Sequence, residues 1–122
     1  MAERVLLWTV HDPRGLTISL AEDGWREILQ KHSELETYLD QVRLTGQDPD
    51  EIYFDPEVTA MKTAGTRAYL YYKRNLTTGV YSREMIAVAI KVIIESGDER
   101  GYVSTAFFTR HIPKRLVLEW KK

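Results

Sequence analysis

Cysteine is absent from the 122 residues. That excludes disulfides, thiolate metal sites, iron–sulfur clusters and a cysteine nucleophile, and nothing points to secretion. Long apolar runs are missing too. The longest uncharged apolar stretch is Met85–Ile90, far short of the roughly 20 residues a membrane helix needs. At the start, Met1-Ala2-Glu3-Arg4-Val5-Leu6-Leu7-Trp8 carries charges where a signal peptide would need its apolar centre to continue. The expectation is a cytoplasmic protein with no membrane partner. Neither G-x-x-x-x-G-K-[ST] nor G-x-G-x-x-G occurs, and no serine sits in a G-x-S-x-G elbow. The three histidines, His11, His32 and His111, lack ligand-like spacing. Asp48, Asp50 and Asp55 are flanked by prolines and lack the glycine and terminal glutamate of a calcium loop. No metal and no cofactor are expected.

What is present describes one domain over residues 1–122, with 43% apolar and 29% charged residues, ordinary for a globular chain. A net charge of −1 hides a split. Residues 20–59 hold eleven acids against three bases, and residues 60–122 hold twelve bases against five acids. Such asymmetry either marks one face for a polyanion or lets the two halves attract each other.

The stretch Arg83–Arg110 organises the fold. Two apolar runs, Met85–Ile94 and Tyr102–Thr109, flank the polar linker Glu95–Gly101, which predicts a long β-hairpin. The first run is apolar on both faces except at Lys91, so its strand should be central and covered on both sides. Earlier, Arg4–Val10 and Leu16–Leu20 read as strands around the turn His11-Asp12-Pro13-Arg14-Gly15. Ser19-Leu20-Ala21-Glu22 and Ser33-Glu34-Leu35-Glu36 have capping-box spacing. They introduce two helices with a corner at His32–Ser33. Their stripes are Trp25, Ile28, Leu29 and His32, then Leu35, Tyr38, Leu39 and Val42, with Gly46 as a stop.

Glu51–Asp55 is a short strand, Glu57–Gly65 a loop, Arg67–Arg74 a strand and Asn75–Gly79 a turn. The pattern of the tail Leu116–Trp120 does not decide its state. The fold class predicted is α+β: an N-terminal hairpin and two helices packed on one face of a curved antiparallel sheet of about four strands. Alternation would gather Tyr69, Tyr71, Lys73 and Lys91 on the other face.

The C-terminal half carries a basic and hydroxyl constellation: Lys73, Arg74, Thr105, Thr109, Arg110, His111 and Lys114. Such residues suit a phosphodiester. Guanidinium and ammonium groups stabilise the extra charge of the transition state, and hydroxyls hold the phosphate. In RNA the adjacent 2′-OH is the nucleophile, so charge stabilisation and proton transfer suffice. His32 is the candidate acid or base, because an imidazole titrates near neutrality. Tyr69, Tyr71 and Tyr72 could stack on bases. Each residue also has an ordinary reading: His32 as a corner histidine, Lys73 and Arg74 as solvated strand ends, the threonines and tyrosines as strand formers. The case rests on their convergence.

Several of these stretches together resemble a known family. They are W-x-x-I-L-x-x-H-x-E-L (Trp25 to Leu35), D-P-D-E-I-Y (Asp48–Tyr53), Y-Y-K-R (Tyr71–Arg74), the apolar strand ending in Lys91, and V-x-T-A-F-F-T (Val103–Thr109) with Ile112 and Lys114. The chain is similar, over roughly residues 16–115, to the phage-associated Barnase–EndoU–Colicin–RelE-like nuclease domains. That resemblance implies N-terminal helices followed by a curved four-stranded antiparallel sheet, and metal-independent ribonuclease activity, often that of a toxin. It makes His32 the helix histidine, Lys73 or Arg74 the basic strand residue and Thr105 the later hydroxyl, with Thr109 and Lys114 as phosphate contacts. Where related sequences often read H-P-E-L, this chain has Ser33 for the proline; both residues suit a helix start.

The leading expectation is therefore a metal-independent ribonuclease, stand-alone or toxin-like, with RNA as partner and an antitoxin or other protein as a second one. His32, Arg74 and Thr105 are the catalytic candidates; Lys73, Thr109, Lys114 and Tyr71 are the substrate contacts. The alternatives are a non-catalytic RNA- or protein-binding domain, or an interaction module whose acidic helical segment (Glu34, Glu36, Asp40) docks a basic partner.

Overall fold

The computed structural model describes residues 4–122. Met1 to Glu3, where the leader reading begins, lie outside the described residues. Seven strands form one mixed sheet: β1 (Leu6–His11), β2 (Thr17–Ala21), β3 (Glu51–Phe54), β4 (Arg67–Lys73), β5 (Met85–Glu95), β6 (Asp98–Thr109) and β7 (Val117–Lys121). Three helices accompany them: α1 (Glu22–Lys31), α2 (Leu39–Gln47) and α3 (Pro56–Ala60). The spatial order is β1-β2-β6-β5-β4-β3-β7. Every pairing is antiparallel except β2 with β6, which run parallel from Thr17↔Arg100 to Ser19↔Tyr102.

This overturns the four-stranded, two-helix expectation. The N-terminal hairpin does not lie on the sheet; it extends it through the parallel β2–β6 pair. The tail supplies a seventh strand against β3, and the loop reading of Glu57–Gly65 misses α3. Each error has a physical cause. A parallel pairing of segments some eighty residues apart leaves no local mark, whereas a hairpin does. The exposed tail strand lacks clean alternation. At α3 the signal was present but short: Asp55 caps it by accepting from the Val58 N–H at 3.1 Å, and Pro56 occupies the first turn.

The central hairpin forms as expected, with a tighter turn. Ser96 (φ 53°) and Gly97 (φ 86°) make the two-residue connection, both in the left-handed region, as a type I′ turn requires. Ile86, Val88, Ile90 and Val92 face the helices, each at most 2% exposed. Each such side chain contributes about 1.5–3 kcal/mol by leaving water. Trp25 and Ile28 of α1, Leu35 and Val42 meet them in the main core.

The helix starts differ from the capping-box reading. Ser19 is buried in β2, hydrogen-bonded to Thr9 at 2.9 Å, and α1 begins at Glu22 without a side-chain cap. Ser33 opens a single 3₁₀ turn to Leu35, so α2 starts later, at Leu39. Gly46 does not stop α2. It lies buried within it, where an added Cβ would come 3.8 Å from Val10 and 3.9 Å from Trp8.

A second, smaller core lies on the opposite face of the sheet. Leu70 and Tyr72 of β4 and Met85 and Ala87 of β5 are covered there by Leu116 and Ile112. The segment 110–116 thus crosses under the sheet to deliver β7 to the far edge. Tyr69, Tyr71 and Lys73 do not share this face with Lys91: they point to the helices, while Lys91, paired with Ala68, points away. Since β4 is buried on both faces, alternation could not say which side was which.

Candidate functional site

Where β4 leaves the sheet and β5 returns, a cleft of about 260 Å³ opens at one end of the molecule. Its walls are Arg74, Asn75, Ser82, Arg83, Glu84, Met85 and Arg110. Strand register explains the convergence. Lys73 pairs with Ile86 and Met85 pairs with Thr109, which sets Arg74, Met85 and Thr109–Arg110 side by side across three strands. Asn75 turns the chain with φ 65°, a conformation asparagine tolerates better than most residues.

Three arginines therefore line one opening. Arg74 lies 2.7 Å from Glu51 and 3.8 Å from Asp50, and Arg110 donates to Glu84 at 3.3 Å. Among the described residues Arg83 makes no ion pair, so its charge is the uncompensated one in the cleft. Thr109, next to Arg110, donates its hydroxyl to the His111 carbonyl at 3.0 Å and accepts from the His111 N–H at 3.3 Å.

His32 stands at the end of α1, half-buried, 3.8 Å from a Glu34 oxygen. Its ring lies 6.0 Å from that of Phe107, and Phe107 packs against the Met85 cluster. The α1 helix reaches this position because β2 accompanies β6 only as far as Tyr102. Beyond it α1 runs beside the strand, with Gly24 close to the Val103 carbonyl. A row results: His32, Phe107, Met85 and Thr109, then Arg74 and Arg110.

Other sequence candidates lie elsewhere. Thr105 shares its face with Thr109, but four residues along a strand place it about 13 Å away. Lys73 is directed to the helix side, where its ammonium donates to the Asp48 carbonyl at 2.7 Å and its carboxylate at 3.3 Å. It thereby satisfies the C-terminal end of α2, whose last carbonyls lack helical partners. Tyr71 is wholly buried, so its ring has no face to offer a base. Its hydroxyl donates to Asp12 at 2.5 Å, and burial, then that carboxylate, push its pKa far up. Lys114 stands exposed on the connection to β7.

No family model, curated protein or solved structure matches this chain. Its reading rests on its own geometry.

Arg83 is the member of the cleft that sequence reasoning missed. The signal was available: Arg74 and Arg83 bracket the connection of a predicted antiparallel pair, and such pairing must bring its two ends together.

The charge split resolves in part inside the molecule. Lys73 and Lys122 meet Asp48, Arg74 meets Glu51, and Arg115 meets Asp55 and Glu57, so basic residues of the second half face acids of the first. The acidic helical segment itself gives up little of its charge to these pairs.

Proposed function

We propose that this protein binds single-stranded RNA through the Arg74–Arg83–Arg110 cleft and cleaves it without a metal ion, acting in the cytoplasm. The observation that carries the reading is three arginines lining one opening, with an imidazole at the end of the adjoining row. Arginine forks match a phosphate's oxygens, and their fixed positive charge favours the more highly charged transition state. In this scheme the 2′-OH attacks the neighbouring phosphorus as the 5′-oxygen leaves. His32 can serve only a strand that runs from the arginines along the row and lays its scissile group against the imidazole. The imidazole then takes the 2′-hydroxyl proton and gives one to the departing 5′-oxygen, leaving a 2′,3′-cyclic phosphate and a 5′-hydroxyl. Thr109 lies where it can bond a phosphate oxygen once its hydroxyl turns from the His111 carbonyl. Thr105 and Lys114 would meet the strand only beyond the scissile group.

The test is cleavage of unstructured RNA in EDTA. His32→Ala should lower the rate by about 10²–10⁴-fold, the range for a positioned acid or base. Arg83→Ala should weaken RNA binding and reduce its salt dependence by about one phosphate contact. Intact RNA after prolonged incubation with the wild-type chain would reject cleavage.

One observation favours a second reading, binding alone. Arg74 and Arg110 already hold carboxylate partners, and His32 meets the cleft only through Phe107. A non-catalytic RNA binder would keep the Arg83 effect and show none at His32. Among the described residues no helix is long and apolar enough to cross a membrane.

A further inference from the structure

A second cavity lies at the other end of the sheet. It has a volume of about 320 Å³ and is formed where the β1–β2 turn faces the starts of β4 and β6. Seven residues of β4 separate it from the cleft, roughly 20 Å, and Arg67 and Arg74 point to opposite faces. It belongs to neither the row described above nor the RNA-binding reading.

Its floor is apolar: Leu16, Val92 and the ring of Tyr69. Two guanidinium groups stand over that ring, Arg14 at 5.8 Å and Arg67 at 5.7 Å from its centre. Arg67 is engaged by Glu99. Among the described residues Arg14 has no ion-pair partner; its guanidinium lies over the Tyr69 ring and near the Tyr71 hydroxyl, so the cavity offers one cation without a carboxylate of its own beside an apolar floor.

The loop presenting Arg14 is held rigid. The buried Asp12 carboxylate accepts from the Arg14 N–H at 2.9 Å, the Leu16 N–H at 2.9 Å and the Tyr71 hydroxyl at 2.5 Å. Two backbone bonds close the same turn, Asp12 N–H to the Leu16 carbonyl at 2.9 Å and Gly15 N–H to the Asp12 carbonyl at 3.0 Å. Gly15, at φ 89° with open space around it, lets the chain turn there without narrowing the mouth. The Arg14 backbone thus does the structural work, and its side chain is left at the rim. A cation fixed in place before a ligand arrives loses little freedom on binding.

We propose that this cavity binds a small organic anion: one carboxylate or phosphate head on Arg14, and a flat apolar body on Leu16, Val92 and Tyr69. The volume is at the lower end of the range for small-molecule sites, roughly 300–1,000 Å³. Glu99 argues against a bare inorganic anion, since its carboxylate shares the rim and repels a ligand that brings charge without apolar contact.

The test is a ¹H–¹⁵N NMR titration of the full chain with benzoate, adenosine monophosphate, inorganic phosphate and benzyl alcohol. Saturable shifts at Leu16, Val92 and Glu99 with benzoate or the nucleotide support the site, and the stronger probe identifies the head group. Phosphate and benzyl alcohol, each lacking one half of the chemistry, should bind at least roughly tenfold more weakly. Arg14→Gln and Arg67→Gln, both at exposed or half-exposed side chains, should abolish or weaken the shifts, and Arg83→Gln should leave them unchanged. Absence of saturable shifts with both organic anions overturns the proposal. So does a response equalled by phosphate alone, or one that survives Arg14→Gln and Arg67→Gln together.

Discussion

A single carboxylate, Asp12, ties together parts of the molecule that the chain separates by about sixty residues. It is 5% exposed and accepts three hydrogen bonds, two from its own turn and one from Tyr71 on β4. Removing it leaves the Tyr71 hydroxyl inside the core with no acceptor, which costs more than the bond itself contributes. Asp12→Ala should therefore destabilise the chain by about 1–3 kcal/mol in urea unfolding, whereas loss of Pro13, an exposed turn residue, should be nearly silent. Gly101 offers a second test on the other wall of the core. An added Cβ would lie 3.0 Å from Ile90, 3.2 Å from Ile18 and 3.3 Å from Leu16, all packed side chains. Gly101→Ala should lower stability by about 1–3 kcal/mol through overpacking. Neither role was legible in the sequence. Asp12 and Gly101 read there as turn and linker residues, because local pattern registers conformation and not what a distant strand brings against it.

The attachment of β7 is electrostatic as well as backbone-mediated. Lys122 bonds both Asp48 oxygens, at 3.0 and 2.9 Å, and its N–H donates to the Asp50 carbonyl at 2.9 Å. Lys73 reaches the same Asp48 from inside the sheet. The Lys122 ammonium, with Lys73 behind it, holds the Asp48 carboxyl below its ordinary range. A carboxylate depressed in the folded state contributes stability that is present above its unfolded pKa of about 4 and is lost as pH falls through the folded value. Acidification should thus loosen β7 before the hairpin of β5 and β6. Amide exchange at Val117–Lys121 should accelerate below pH 4, and Lys122→Ala should show that faster exchange already at neutral pH. The pair is partly exposed, so high salt should produce part of the same effect. The sequence announced β5 and β6 through composition and turn chemistry. It was silent on β7, because an exposed edge strand is specified by its partner, here β3, more than by its own residues.

Taken whole, the protein is a sheet with a core on each side, and β4, like its neighbour β5, belongs to both. Tyr71 enters the core beneath the helices and Tyr72, 1% exposed, enters the one closed by Leu116 and Ile112. That double burial is why the candidate site sits at the end of the sheet and not on its face. The central surface is filled, so cationic side chains gather at the ends of the sheet, three arginines of them where β4 and β5 part and β6 ends. The sequence showed that these strands were apolar throughout. It could not show that the connection 110–116 would close the second face, since Ile112 and Leu116 acquire that role only once β7 has paired across the sheet. The same burial makes the fold sensitive to alkali, with Tyr72 one contributor. Burial raises the Tyr72 phenol to about 12, with the neighbouring Tyr53 adding to it. A phenol raised in the folded state contributes stability that is fully present below its unfolded pKa near 10 and disappears as pH climbs through the folded value. Stability should accordingly fall between about pH 10 and 12, by roughly 2–3 kcal/mol from Tyr72. Tyr72→Phe keeps the ring against Leu116 and removes the titrating proton. Urea denaturation midpoints of the two proteins should therefore converge at neutral pH and separate above pH 10, with the phenylalanine variant the more stable. Identical pH profiles would place the alkaline transition elsewhere, and the second core would then open to solvent without strain on β4.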